Sequence, residues 1–419
     1  MRALKGNYTL GLWTLAAMLL IAAGIGRGDS IEQLHRASAP YEQDLVRWEI
    51  VHFPDKWFNL AVGVFGRPDA EERLERTQEF FRVGGELSAM RREIGRALAE
   101  GASDAEVAAL EGERERLERR RAELSPLVEE TLEGAISQSA DDLGVIARFG
   151  PVRWPPVDFA FQEGGHVLVR SPRDAIVRLD DRLLTSDISL PQQDELERKV
   201  ESLDDNISAI VARIGGVATY PAQVTPDTSL RGALSVASHE WVHHWLIFHP
   251  LGRAWFAGGE LTSVNETVAN IAAEELSDRA FELLTGEVVT REPWQPPRAG
   301  EPRPTPEPGV FDFRYEMRET RARLEELLEE GKVEEAEAYL EGRRLEFVEQ
   351  GHNIRKLNTA WFAFHGTYAD GPASISPIEP QLRTIRADSA DLAEFLSRVA
   401  VIDEPGELER LAREAGWRP

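Results

Sequence analysis

The sequence of 419 residues contains no cysteine. This absence excludes disulfide frameworks, thiol catalysis and every cysteine-ligated zinc site. Positive charge is also scarce, because 48 basic side chains against 73 acidic ones give a net charge of −25. A surface of this charge repels phosphate backbones, so we expect no nucleic-acid partner. The remaining composition, 42% hydrophobic and 29% charged, is typical of a globular protein, and the length predicts two or three structural units.

An apolar run of 17 residues, Leu10 to Gly26, follows two basic residues near the N-terminus. Arg2 and Lys5 favour the orientation that keeps the N-terminus in the cytoplasm. Residues 1–28 are therefore predicted to be an uncleaved, single-pass membrane anchor, which places the rest of the chain outside the cytoplasm. The alternative is a cleaved signal peptide and a secreted protein, because the small residues at 22–24 suit a signal peptidase.

Residues 29–150 are predicted to form a helical, coiled-coil-like region. The stretch 71–134 is rich in Glu, Arg, Leu and Ala, and we expect glycine-containing breaks at 84–85 and 101–103. Leucines recur every seven residues between charged neighbours, at Leu110, Leu117 and Leu124. This spacing predicts a helical hairpin, or a short coiled coil, that packs on the body of the protein.

The composition changes after Pro151 to one that is typical of a small sheet. Residues 157–161 and 167–169 flank Gly164-Gly165, which predicts a β-hairpin with a glycine turn. Further strands are predicted at 177–184, 207–214 and 217–220, and a polar helix at 194–203. Together with the helical stretches, this pattern predicts a predominantly helical α+β fold with a catalytic core at 151–287.

A strongly apolar helix is predicted from Ser229 to Pro250. Its hydrophobic residues recur at three- and four-residue steps around nearly the whole circumference, so we expect the helix to be buried. The middle of this helix carries His239, Glu240 and His243, which spell H-E-x-x-H. Histidines four apart share one face and can bind one cation, for which Zn²⁺ is well suited, while the glutamate can deprotonate a zinc-activated water. The alternative is a pair of hydrogen-bonded core histidines.

A zinc site of this type needs a third protein ligand, and the next predicted helix, Glu260 to Leu284, offers one. Glu266 and Asn270 lie four residues apart on the side opposite its apolar stripe. Between His243 and Glu266 the chain has room for a turn, a loop and the start of an antiparallel helix. The alternative is that Glu266 caps the helix, because Ser263-x-x-Glu266 fits a capping box. Weaker candidates for the third ligand are Glu260, Glu274 and Glu275.

The H-E-x-x-H motif, followed on the next helix by an Asn-Glu-x-x-x-Asn string at 265–270, resembles the motifs of the gluzincin metallopeptidases, the thermolysin-like zincins. The family's second motif is N-E-x-x-x-D, so this chain has asparagine where aspartate is usual. The resemblance covers roughly residues 216–284 and implies a zincin-like catalytic core that binds one Zn²⁺ per chain. The roles that it implies are zinc ligands at His239, His243 and Glu266, the general base at Glu240, and a residue that orients a zinc histidine at Asn270.

The resemblance also indicates where a substrate would lie. In thermolysin-like enzymes the strand ahead of the active helix runs beside the substrate backbone, and residues 218–224 occupy that place here. Ala218 and Tyr220 are therefore implied to contact the substrate. This strand lacks the acid with which M1-type aminopeptidases hold the amino group of a substrate. The segment 357–368 is nevertheless similar to strings in predicted bacterial aminopeptidases of the same clan.

Gluzincins usually add a tyrosine or histidine, from a segment C-terminal to the metal helices, that donates a hydrogen bond to the developing oxyanion. The segment 352–368 is both aromatic and polar and is the expected source of this donor. We favour Tyr368, because it follows a Gly-Thr break after a predicted helix. His365 and His352 are the alternatives.

The rest of the chain completes the predicted organisation. A proline-rich stretch at 288–310 predicts an extended linker, and the helical region 311–419 is expected to complete the active site, with helices at 311–350, 382–399 and 407–415. The sequence thus predicts a membrane-anchored, extracytoplasmic zinc metallopeptidase that hydrolyses peptide or protein substrates. The rival hypothesis is a non-catalytic anchored scaffold that keeps the zinc fold for its structure. The oligomeric state stays open.

Overall fold

The computed structural model of the chain is predominantly helical, with small sheets, so the predicted α+β class is confirmed at this level. It describes residues 29–43, 69–150, 152–255, 259–295, 306–307, 309–369 and 371–418. The predicted anchor and the centre of the proline-rich stretch lie outside the described residues. Within the described residues, no helix is both long enough and apolar enough to cross a bilayer.

The helices and strands follow one another in mixed order along the chain. The helices are α1 (Asp29–Ser38), α2 (Ala70–Ala99), α3 (Asp104–Asp142), α4 (Leu190–Glu201), α5 (Leu230–Leu246), α6 (Pro250–Ala254), α7 (Glu260–Thr285), α8 (Phe313–Glu329), α9 (Val333–Glu349), α10 (Thr359–His365), α11 (Ile378–Asp388), α12 (Leu392–Val399) and α13 (Glu407–Glu414). The strands are β1 (Ala147–Phe149), β2 (Val152–Trp154), β3 (Phe159–Phe161), β4 (His166–Pro172), β5 (Asp180–Leu184), β6 (Ile207–Arg213), β7 (Gly216–Val217) and β8 (Ala222–Val224).

Helices α2 and α3 form the predicted helical hairpin. The break predicted at 101–103 is confirmed: Gly101 adopts a positive φ of 75°, and Ser103 forms a capping box with Glu106 at the start of α3. The break predicted at Gly84-Gly85 is wrong, because α2 continues through both glycines. Gly84 is buried, and a Cβ there would lie 3.7 Å from the carbonyl oxygen of Pro226. This distance is an ordinary van der Waals contact, so α2 packs against the loop that precedes α5 at a position where a small side chain would also fit.

Two three-stranded sheets lie next to the central helices. In the first, β4 is the middle strand and pairs antiparallel with β5 and β6, as Val169 opposite Ile210 shows. In the second, β8 is the middle strand and pairs parallel with β3 and antiparallel with β7. The strands predicted near 177–184 and 207–214 are confirmed as β5 and β6.

The β-hairpin predicted around Gly164-Gly165 is wrong, because the two flanking strands belong to different sheets. A Cβ on Gly164 would lie 2.6 Å from the carbonyl oxygen of Ile214, and one on Gly165 would lie 2.8 Å from that of Leu184. The two glycines therefore permit a close approach of backbones where the chain crosses from one sheet to the other, and they do not form a hairpin turn.

Helix α5 is the centre of the fold, because it lies between the β3-β8-β7 sheet and α7. Trp241 on α5 and Val268 on α7 are buried in one apolar core that includes Leu382 of α11 and Phe395 of α12. A second core packs α8, α9 and α10 against β4 and β6. The single helices predicted at 311–350 and 382–399 are each two helices in the structure, the first divided at Gly331, where φ is 72°.

Candidate metal centre

Helix α5 presents its H-E-x-x-H motif to two different neighbours. Ser229 caps the helix by accepting a hydrogen bond of 3.1 Å from the amide of Gly232. The helix ends at Leu246 and not at the predicted Pro250, because a proline lacks the amide needed to continue it and starts α6 instead. His239 and His243 lie against Glu266 of α7. Glu240, about 100° further round the helix, contacts Gly216 of β7.

The structure brings His239, His243 and Glu266 together. The Nε2 atoms of the two histidines lie 3.0 Å apart. Oε2 of Glu266 lies 3.3 Å from Nε2 of His239 and 3.5 Å from Nε2 of His243. Three candidate ligand atoms from two helices therefore form a nearly equilateral triangle, although the residues are separated in sequence.

This triangle fits a zinc ion. Zn²⁺ binds imidazole nitrogen and carboxylate oxygen at about 2.0–2.2 Å, and the edge of a tetrahedron of that radius is about 3.3 Å. The three observed separations of 3.0, 3.3 and 3.5 Å bracket that edge. Two imidazole nitrogens that face each other at 3.0 Å also need a proton or a cation between their lone pairs. The donor set and its geometry therefore suit a tetrahedral zinc site with three protein ligands.

The capping alternative for Glu266 is excluded by the start of α7. The helix begins at Glu260 after Gly259, so Ser263 lies inside the helix and cannot be its N-cap. Glu266 is only 7% exposed, and Oε1 of its carboxylate accepts a hydrogen bond of 3.2 Å from Nε1 of Trp255. The weaker candidates lie elsewhere: Glu260 is exposed, Glu274 pairs with Arg383, and Glu275 pairs with Arg386.

The charges of this cluster favour a positive charge beside the Glu266 carboxylate. Burial alone would raise the pKa of Glu266, but the two neighbouring histidines outweigh it and hold the pKa of this carboxyl well below its usual range. Burial likewise would lower the pKa of His243, yet the Glu266 carboxylate outweighs it and raises this pKa to about 9. The Glu266 carboxylate and the imidazole of His243 therefore each stabilise the charged form of the other.

Glu240 lies on the side of α5 that faces the edge strand β7. Its side chain is 7% exposed, and its Oε1 lies against Gly216 so closely that a Cβ at that position would overlap it. Burial raises the pKa of Glu240, the negative charge of Glu266 adds to this effect, and the two histidines oppose it. A buried carboxyl group with a raised pKa beside a candidate metal centre is a candidate for proton transfer.

The two asparagines of the α7 motif have different surroundings. Asn265 is buried, donates a hydrogen bond of 3.1 Å from Nδ2 to the carbonyl oxygen of Leu251, and lies close enough to His243 to contribute to its raised pKa. Asn270 is half-buried. Among the described residues, Nδ1 of His239 has no hydrogen-bond partner. The predicted role of Asn270 in orienting a zinc histidine stays a prediction.

The segment predicted to contact substrate divides into an interior part and an edge part. Tyr220 is 7% exposed, and its ring centroid lies 5.7 Å from that of His244. Burial raises the pKa of Tyr220, with further contributions from Asp158 and Glu133. His244 donates from Nε2 to the carbonyl oxygen of Thr219 over 2.8 Å. The Tyr220 side chain therefore faces the interior, while Ala218, next to β7, is half-buried.

The three candidates for the oxyanion donor occupy different places. The ring centroid of Tyr368 lies 6.5 Å from that of His239, which puts this tyrosine beside the candidate metal ligands. His365 stacks on Trp361 and donates from Nδ1 to its carbonyl oxygen over 2.9 Å. His352 is half-buried and packs against Phe313, with 4.5 Å between ring centroids, beside the core of the C-terminal helices.

Comparison of the chain with protein-family models, with curated proteins and with solved structures finds no match. The functional argument therefore depends on the site itself. Sequence patterns did not identify Trp255, because it lies between two helices and belongs to no spaced motif. The contribution of Asn265 was available from the sequence, since this residue directly precedes Glu266.

Proposed function

We propose that the chain is a zinc metallopeptidase of the gluzincin type, in which His239, His243 and Glu266 hold one Zn²⁺ in a zincin-like core. The observation that carries the proposal is the triangle of Nε2, Nε2 and Oε2 atoms with sides of 3.0, 3.3 and 3.5 Å. Three protein ligands, two imidazoles and one carboxylate, are the set typical of a catalytic zinc site, which keeps a fourth position open.

A zinc ion bound at this site would act as a Lewis acid toward water and the scissile carbonyl. Glu240 accepts the proton of the attacking water and passes it to the leaving amine. Its position supports this role, because Glu240 directly follows the candidate ligand His239 on α5 and is buried beside β7. Tyr368 is the donor to the developing oxyanion, and its position beside His239 supports this role.

A peptide substrate is favoured by the edge strand beside Glu240. In the described part of the chain, β7 pairs with β8 alone and forms the end of its sheet. An extended peptide can add to such an edge through backbone hydrogen bonds. A peptide bound there would run past Glu240, whose Oε1 lies against Gly216 of the same strand. The edge strand therefore supports peptide-bond hydrolysis by this site.

We also propose that residues 1–28 anchor the protein in a membrane with the catalytic region outside the cytoplasm. The apolar run from Leu10 to Gly26, preceded by Arg2 and Lys5, supports this orientation. A reporter that is active only outside the cytoplasm, fused to the C-terminus, should score positive and fractionate with membranes. A soluble product that starts near Gly26 would show a cleaved signal peptide instead.

The competing function is a scaffold that keeps metal without catalysis, and a combined metal and cleavage assay separates the two. The detergent-purified full chain should contain about one zinc per chain and cleave members of a peptide library. Chelation should stop cleavage, and added zinc should restore it. His239→Ala and Glu266→Ala should each lose the zinc, whereas His249→Ala, which alters a histidine stacked on Trp245, should keep it. Zinc without any cleavage in the unmodified chain would favour the scaffold.

A further inference from the structure

The two oxygens of the Glu266 carboxylate have different partners. Oε2 faces the Nε2 atoms of His239 and His243 at 3.3 and 3.5 Å. Oε1 accepts a hydrogen bond of 3.2 Å from the indole nitrogen of Trp255. An indole nitrogen carries a hydrogen and can only donate, so it cannot compete for a metal ion. The carboxylate is thus divided between one oxygen that faces the candidate metal site and one that is occupied by the protein.

Trp255 is held in place by the short helix α6, which ends just before it. The carbonyl oxygen of Trp255 accepts a hydrogen bond of 3.1 Å from Oγ1 of Thr262, on the same helix as Glu266. At the start of α6, Leu251 donates its amide to the carbonyl oxygen of Ala400 over 3.1 Å. Its own carbonyl oxygen accepts from Asn265, again over 3.1 Å. Hydrogen bonds at both ends of this segment therefore fix the indole relative to α7.

We propose that Trp255 is a positioning residue that restricts Glu266 to one-oxygen coordination of the metal and so keeps a coordination position open. A carboxylate that is free at both oxygens can bind a metal through both of them and fill the position that a catalytic site reserves for water or substrate. The hydrogen bond to Oε1 removes this option and fixes the direction of Oε2. The inference rests on the metal site of the proposed function, and it assigns to Trp255 a role in the geometry of that site.

The test compares Trp255→Phe with the unmodified full chain in a competition between the protein and a chromophoric zinc chelator. Loss of the indole N–H removes the bond that fixes the direction of Oε2, and we expect zinc affinity to fall by about 10- to 100-fold, the usual effect of removing a hydrogen bond that orients a metal ligand. Trp245→Phe is the matched control, because it makes the same substitution on α5, the helix that carries the two histidines. Trp245 stacks on His249. The zinc affinity of Trp245→Phe should equal that of the unmodified chain.

A second readout reports coordination number directly. With Co²⁺ in place of zinc, the unmodified chain should show the strong visible absorption of a four-coordinate ion. Trp255→Phe should weaken this absorption, because a second carboxylate oxygen raises the coordination number. Replacement of Trp255 by benzothienylalanine keeps the bicyclic shape but removes the N–H. This protein should show the same loss of zinc affinity and the same weaker Co²⁺ absorption as Trp255→Phe. That result would exclude an effect of the smaller phenyl ring on folding.

The outcomes separate the inference from the function on which it rests. Failure of the unmodified chain to bind zinc would overturn both. If the unmodified chain binds zinc but Trp255→Phe and the benzothienylalanine protein keep its affinity and its Co²⁺ spectrum, the role of Trp255 is overturned and the metal site stands. Equal losses in Trp255→Phe and Trp245→Phe would also overturn the role, because the effect would then be one of general packing.

Discussion

Oε1 of Glu240 lies against the α-carbon of Gly216, in the space that the Cβ of any other residue would fill. The contact joins the candidate general base to the edge strand along which we expect a peptide to bind. It also gives a physical reason for the glycine: the strand and the carboxyl group can come this close only if no side chain lies between them. The position of Glu240 relative to β7 therefore depends on the residue type at position 216.

Gly216→Ala is expected to displace Glu240 without removing the metal. The added methyl group overlaps Oε1 of Glu240, and it would also lie 2.8 Å from Cγ1 of Val236 and 3.0 Å from the carbonyl oxygen of Gln223. The Glu240 carboxyl group should therefore move, together with a small shift of β7 relative to α5. A displacement of about 1 Å in a catalytic group costs about 100-fold in turnover. Gly215→Ala is the matched control, because its nearest neighbour would be Cγ2 of Val236 at 3.9 Å, an ordinary contact. Peptide cleavage and zinc content measured for both variants check this; equal activities would contradict it.

Tyr368→Phe is expected to keep the zinc and the fold but to lower kcat by about 10²–10³-fold, with a much smaller effect on KM. The reason is that the hydroxyl group would stabilise negative charge that develops only in the transition state. Steady-state kinetics on one peptide substrate measure both constants. Full turnover in Tyr368→Phe, together with a loss in His365→Ala or His352→Ala, would assign the donor to a histidine.

His244 should make the protein sensitive to acid. Burial lowers the pKa of His244 to about 4 and outweighs the hydrogen bond to the carbonyl oxygen of Thr219, whereas the unfolded chain titrates near 6.5. Below pH 6.5 the unfolded chain therefore binds a proton at His244, whereas His244 in the folded chain stays neutral. The contribution of neutral His244 to the free energy of unfolding is complete above pH 6.5. It falls by about 3 kcal/mol as the pH falls toward 4.

Urea unfolding at a series of pH values measures this loss, with His244→Gln as the comparison. Glutamine keeps a donor for the carbonyl oxygen of Thr219 but does not titrate in this range. The free energy of unfolding of His244→Gln should therefore fall less steeply between pH 6.5 and 4 than that of the unmodified chain. Parallel curves for the two proteins would show that His244 is protonated in the folded state.

The helices of the site could be predicted because their signals are local. The three- and four-residue spacing of apolar residues and the four-residue spacing of His239 and His243 both follow from the helix period. The choice between ligand and cap for Glu266 depended instead on where α7 begins, and sequence patterns locate helix ends poorly. The start at Glu260 settles that choice, because it places Ser263 inside the helix.

The pairing of strands and the contacts between distant segments could not be predicted. Alternating apolar residues identified 157–161 as a strand, but its partner, β8, is distant in sequence and pairs in parallel. The pair Gly164-Gly165 carried the same signal as a hairpin turn, although its function is to let two backbones approach. The bond from Trp255 to Glu266 likewise depends on how α6 packs on α7, and no spacing in the sequence encodes it.

The most direct measurement of the central claim is peptide cleavage by Glu240→Gln at full zinc occupancy. Glutamine keeps the size of the side chain but cannot accept the proton of the attacking water, so cleavage should fall by about 10²–10⁴-fold while about one zinc per chain remains. Glu260→Gln, which changes an exposed residue at the start of α7, should retain the activity of the unmodified chain. Undiminished cleavage by zinc-loaded Glu240→Gln would contradict the account.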